Sequence, residues 1–85
     1  MSARLRSKDS VAWRRAVGAN IRWIRQERGL SQTALAERAG LSMGYVSLIE
    51  QGNANPRLET ITALAAALGV SPVELLKVRN GDQTG

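Results

Sequence analysis

The sequence contains no cysteine and no histidine. Without cysteine there is no disulfide and no thiolate metal site. Without histidine the chain lacks the commonest general base and metal ligand at neutral pH. It also has no paired carboxylates and no glycine-rich phosphate loop. These absences argue against an enzyme, and no cofactor or metal site is expected. Aromatic residues make up only 4% of the chain, so a core must come from aliphatic side chains. No apolar run approaches the roughly 20 residues that a membrane helix needs. The N-terminus has no signal-peptide hydrophobic core. The expected location is therefore cytoplasmic, with no membrane partner.

What is present is small, aliphatic and basic. The chain has 85 residues, 44% of them apolar, and a formal net charge of +5. That length suits one domain, and a domain this small is often helped by a partner. A small basic domain attracts polyanions, and nucleic acid is the usual one. The charge is uneven. Eight of the 12 basic residues lie within residues 1–28, against two acids, Asp9 and Glu27. The N-terminal third is the expected electrostatic footprint.

Apolar spacing and capping residues divide the chain into five helices. Residues 1–10 show no period, and Arg4, Arg6 and Lys8 give them the character of a basic, flexible arm. A long helix is expected over 11–28. Its stripe is Val17, Ile21, Ile24 and the stem of Arg28, with Trp13 extending it backward. Trp23 lies off that stripe and calls for a partner, either a C-terminal helix or a second subunit. Gly29 stops this helix and Ser31 caps a second, over 32–39. Residues 58–68 form a fourth, with Leu58, Ile61, Leu64 and Leu68 as its stripe. Ser71-Pro72-Val73-Glu74 is a capping box with proline at the first helical position, opening a fifth helix over 72–77. Its apolar residues are Val73, Leu75 and Leu76. Residues 11–77 are thus the folded domain, and 78–85 a disordered tail.

Residues 41–52, LSMGYVSLIEQG, organise the rest. Ser42 caps a short helix over 43–51, and Gly52 stops it. Val46, Ile49 and Glu50 share one face by the i, i+3, i+4 rule. Met43, Gly44, Ser47, Leu48 and Gln51 share the other. The second face carries no charge and little bulk, which suits a helix pushed into a groove. Only two residues separate Gly40, the end of the preceding helix, from Met43. Two helices joined so tightly cross steeply, which is the geometry of a helix-turn-helix. Ala36 is small enough for the crossing, and Gly40 tolerates the turn. Arg25 lies at the edge of the inward stripe, and Glu50 faces the same core. The two opposite charges are expected to pair.

In this order and spacing the chain resembles the lambda-repressor-like, Cro-type helix-turn-helix family, the XRE-type regulators. The matching text is Ile21-Arg22-Trp23-Ile24-Arg25, Gly29-Leu30-Ser31-Gln32, Leu35-Ala36 and Ala39-Gly40-Leu41-Ser42. It continues through Tyr45-Val46-Ser47, Ile49-Glu50, Gly52, Asn55-Pro56, and Leu64 to Leu76. The resemblance implies an all-α, five-helix fold whose second and third helices form the helix-turn-helix. It implies base-reading positions at Met43, Gly44, Ser47 and Leu48, with Tyr45 flanking. It implies phosphate contacts from Gln32, Ser42, Gln51, Asn55 and Arg57, and a structural Arg25–Glu50 bridge. Many relatives carry glutamine, arginine, threonine or lysine at the reading positions. Here Ser47 is the only compact hydrogen-bonding side chain among them.

The function implied is a sequence-specific transcriptional regulator, read as a repressor. It would bind double-stranded DNA as a homodimer on a palindromic operator, with Val73, Leu75, Leu76 and Trp23 as candidate dimer contacts. No small-molecule effector site is evident. The alternative is a DNA-binding antitoxin or accessory protein whose main partner is another protein.

Overall fold

The computed structural model describes the backbone of residues 7–78 and the side chains of residues 10–78. Five helices follow one another: α1 (Ser7–Glu27), α2 (Gln32–Ala39), α3 (Met43–Glu50), α4 (Leu58–Leu68) and α5 (Pro72–Leu76). No strand occurs among the described residues. The fold is all-α, as expected. α1 packs on α3, α4 and α5, and α2 packs on α3 and α4.

Local chemistry sets the helix ends. The Ser31 hydroxyl accepts from the Ala34 N–H at 2.9 Å, and the Ser42 hydroxyl accepts from the Tyr45 N–H at 3.1 Å. Each thereby satisfies a first-turn donor that has no partner inside the helix. At the turn between α2 and α3, Gly40 takes φ 72°. That left-handed conformation lets the Leu41 N–H turn back to the Ala36 carbonyl at 2.9 Å, closing the end of α2. α2 and α3 are thus joined by only three residues, 40–42, with both facing ends capped.

The core is aliphatic. Ile21, Leu35, Val46, Ile49, Leu64, Leu68 and Leu75 are its largest fully buried side chains. Leu41 and Tyr45 pack against its edge. The expected inward face of α3 is borne out, with Val46 and Ile49 buried.

Several expectations are corrected. α1 begins at Ser7, so residues 7–10 belong to a helix and not to an arm; residues 1–6 and 79–85 lie outside the described residues. The extra turn escapes a periodicity argument because Ser7, Lys8, Asp9 and Ser10 include no apolar residue to mark a stripe. A local bond supports it instead, from Arg14 Nη1 to Ser10 Oγ at 3.1 Å. The inward stripe of α1 ends at Ile24, and Arg28 is exposed, since the helix stops at Glu27 before its stem can lie along the core. Trp13 remains 42% exposed, because it lines an open groove with Pro56, Ile61 and Leu76 and does not enter the core. Leu58 is 75% exposed. It is the first residue of α4, and side chains tilt toward a helix's N-terminus, so Leu58 points past the end of α4 and away from the core. Trp23 keeps about half its surface open, at 49%.

Two residues of α1 set its neighbours. Gly18 is buried, and a Cβ built there would lie 2.2 Å from the Ile49 carbonyl oxygen and 2.8 Å from that of Glu50. The end of α3 therefore rests directly on the backbone of α1. Two residues on, the buried Asn20 donates from Nδ2 to the carbonyls of Leu75 at 3.0 Å and Lys77 at 2.6 Å. α5 has five residues and is too short to satisfy its own last carbonyls. Asn20 supplies the donors they lack.

The Gly18 contact has a direct consequence. Gly18→Ala is expected to destabilise the domain by at least about 1–3 kcal/mol, the usual cost of overpacking, because the obstructing atoms are backbone. A urea titration followed by circular dichroism measures it. An unchanged midpoint would show that α1 and α3 are not in backbone contact.

Candidate nucleic-acid interface

The site is built outward from a polar cluster beneath α3. Arg25 reaches from the last turn of α1 and donates from Nε to Glu50 Oε2 at 2.7 Å and from Nη2 to Glu50 Oε1 at 3.0 Å. Its remaining terminal nitrogen, Nη1, donates to the Leu30 carbonyl at 2.7 Å. The side chains are 11% and 3% exposed for Arg25 and Glu50. This is the expected bridge, in the two-bond fork geometry that only arginine offers a carboxylate.

A third partner was not expected. Gln32 donates from Nε2 to Glu50 Oε1 at 3.0 Å. The carboxamide nitrogen carries two hydrogens, so one is held by Glu50 and one is left to point elsewhere. Gln32 is half-buried and opens the first turn of α2. Its place in the cluster fixes the start of α2 against the end of α3. Sequence reasoning assigned it a surface role alone, because nothing in the linear order shows that residue 32 meets residue 50.

With Glu50 held inward, the opposite face of α3 turns outward. Met43 is 48% and Leu48 46% exposed; Gly44 is exposed and Ser47 half-buried. Tyr45 is half-buried and packs against the core edge, which leaves it flanking the face. The Ser47 hydroxyl accepts from Gln51 Nε2 at 3.0 Å, and Gln51 Oε1 accepts from Asn53 Nδ2 at 3.1 Å. A chain of three polar side chains therefore runs from the outward face of α3 to the loop after it. Asn53 is a further member that spacing alone does not single out, because nothing in the linear order shows that its side chain meets Gln51.

That loop, residues 53–57, leads into α4. Asn55 and Arg57 are both exposed. Arg57 is the N-cap residue of α4 but makes no side-chain cap bond, so the first N–H groups of α4 stay open beside a guanidinium. Arg57 also lies 3.7 Å from Glu59, both side chains 84% exposed, a pair too solvated and too long to hold the arginine in place. Ser42, Gln51, Asn55 and Arg57 thus stand on the exposed surface of the domain, Ser42 just before α3 and the others after it. Among the described residues no group of histidine, cysteine, aspartate or glutamate could hold a metal ion, and no helix is long and apolar enough to cross a membrane.

The arrangement has parallels in known proteins. Residues 21–75 match the model of the helix-turn-helix family. The uncharacterized HTH-type transcriptional regulator y4dJ of Sinorhizobium fredii is 46% identical over 63 residues, covering 74% of this chain and 82% of the relative. The immunity repressor protein of Bacillus phage phi105 is 50% identical over 54 residues, covering 64% of this chain but only 38% of the relative. Among solved structures, the restriction-modification controller protein C.AhdI from Aeromonas hydrophila superposes with a TM-score of 0.74 at 41% identity, covering 75% of this chain and 97% of that one. The hypothetical transcription factor NHTF from Neisseria gives 0.79 at 34% identity, covering 99% and 94%.

The buried ion pair generates a prediction of its own. Glu50→Ala strands the Arg25 guanidinium beneath α3 and leaves Gln32 without its acceptor. The expected cost is about 3–5 kcal/mol, the range for breaking a buried pair by removing one partner. Chemical denaturation of the two proteins measures it; a loss within error of zero would mean that water solvates Arg25 without effort.

Proposed function

We propose, from the premise that this chain belongs to the helix-turn-helix family of DNA-binding transcriptional regulators, that it acts as a repressor and inserts α3 into the major groove. Family members of this kind are DNA-binding proteins and not enzymes. The observation that carries the reading is the outward face of α3. It is largely exposed, uncharged and low in bulk, yet flanked by the polar Ser42 at one end and by Gln51, Asn55 and the basic Arg57 at the other. A solvated helix face would carry charges, and a protein-docking face would carry more apolar area.

In this orientation Met43, Gly44, Ser47 and Leu48 meet base edges, with Tyr45 beside them. Met43 and Leu48 offer apolar contact to a thymine methyl, and Ser47 offers one hydrogen-bonding group. Gly44 lets the backbone approach closely. Gln32, Ser42, Gln51, Asn55 and Arg57 meet the sugar-phosphate backbone and set the register. The open N–H groups at the start of α4 favour a phosphate beside Arg57. Such a protein would work in the cytoplasm.

Mutant salt titrations separate the two groups. Arg57→Ala is expected to weaken binding to all duplexes alike and to lower the salt slope by about one unit. Substitutions at Met43 and Leu48 are expected to alter site preference and to leave the slope in place, because no charge is removed. Should Arg57→Ala alter preference while the Met43 and Leu48 variants do not, the orientation is wrong.

One recognition helix spans only a few base pairs, so two copies on half-sites about 34–36 Å apart are expected. Leu75 cannot serve in the interface, because it is fully buried in the core of a single chain. Val73, 59% exposed, and Trp23 keep the area such a contact needs. Analytical ultracentrifugation with a selected two-half-site duplex should give two chains per duplex. One chain at saturation would remove the dimer from the reading.

A further inference from the structure

The α1 helix begins well before the matched family region, which starts at residue 21. The additional turns carry Arg14 and Arg15, neither of which the reading above gives a role. The fold brings both to the edge that holds the loop of residues 53–57. A Cβ built on Gly52 would lie 2.9 Å from Arg15 Cγ and 3.2 Å from Arg15 Cα. The backbone of residue 52 therefore sits on the stem of Arg15. Arg14 shares a groove with Asn55 and Pro56.

Arg15 is exposed and takes part in none of the ion pairs among the described residues. Arg14, by contrast, is half-buried and donates to Ser10. Arg15 and Gly18 are one turn apart on the same face of α1. Gly18 lies under the carbonyls of Ile49 and Glu50, so this face runs along the end of α3 and its exit into the loop. Gly52 has φ 79°, which requires glycine and at the same time removes the side chain that would push Arg15 away. A cation with a buttressed stem, no ion-pair partner among the described residues and a place beside a loop assigned to the phosphates has one evident ligand.

We propose that Arg15 is a further DNA-phosphate contact, held beside Asn55 and Arg57 by the bare backbone of Gly52, so that the N-terminal extension of α1 clamps the strand that the loop touches. This rests on the orientation given under Proposed function. The competing structural role is a cation near the C-terminal end of α3, where it would offset the negative end of the helix dipole.

The test uses the full chain, a fluorescent random-sequence duplex and a potassium chloride titration, with thermal melts alongside. The variants are Arg15→Gln, Arg15→Lys, Arg57→Ala and Arg28→Gln, the last an exposed arginine just beyond the far end of α1. Arg15→Gln is expected to lower the salt slope by about one unit with an unchanged melting temperature. Arg15→Lys should restore the slope, and Arg28→Gln should match the parent. The proposal is overturned if Arg57→Ala lowers the slope and Arg15→Gln does not. It is equally overturned if Arg15→Gln lowers the melting temperature and leaves the slope intact, which is the dipole role. If the parent chain binds the duplex with no salt dependence, the orientation itself fails, and this contact fails with it.

Discussion

The forked ion pair between Arg25 and Glu50 is the interaction on which the rest depends. It sits where three chain segments meet: the last turn of α1, the turn at Leu30 and the end of α3. Gln32 adds the start of α2. Such a pair adds little net stability when intact, because removing two charges from water offsets most of their attraction. Its value is geometric. A carboxylate with both oxygens engaged cannot rotate, so the roll of α3 about its own axis is set. The roll decides which residues of α3 look outward. A turn of about 100°, one residue's worth, would replace Met43 and Ser47 on the outer surface by a different set.

α1 acts as the common support. Gly18 lets the end of α3 lie on its backbone, and Asn20 holds the carbonyls at the end of α5. One helix thereby sets the position of α3 on one side and of α5 on another. α5 and α3 are also linked through α4 and α2, but the route through α1 is the shortest, with Gly18 and Asn20 two residues apart on one helix.

Most of the fold was legible in the sequence because helix ends and apolar spacing are local. Ser31, Ser42, Ser71 and Gly40 act where they stand, and the stripes of α3 and α4 follow from period alone. The departures share one cause, which is that burial depends on what lies opposite. Leu58 has the spacing of a core residue but sits at a helix start with nothing above it. Arg28 has the spacing too, but the helix ends first. Residues 7–10 carry no stripe because none of them is apolar, and periodicity detects burial, not helicity. In the site, the Arg25–Glu50 pair was legible because both residues lie on inward faces of elements already placed. Gln32 in the same cluster, Asn53 beside Gln51 and Arg15 against Gly52 were not. Each depends on a contact between residues distant in sequence or on a rotamer, which no spacing rule contains.

The division of charge carries a final consequence for how such a surface would work. In the proposed orientation nearly all the charge lies at the rim and nearly none on the face of α3. Phosphate contacts supply affinity that is indifferent to sequence and falls with salt. Discrimination would rest on Ser47, on apolar contact from Met43 and Leu48, and on the shape of the groove. A good two-bond base contact contributes about 1–3 kcal/mol, and this face has no side chain able to form one. Gln51, the nearest that could, is turned along the surface, with its nitrogen on Ser47 and its oxygen on Asn53. Discrimination would then lean on sequence-dependent deformation, which is read through the rim contacts themselves. The residues that fix how far the rim can close on the duplex, Gly52 and Gly18 among them, would influence specificity without touching a base.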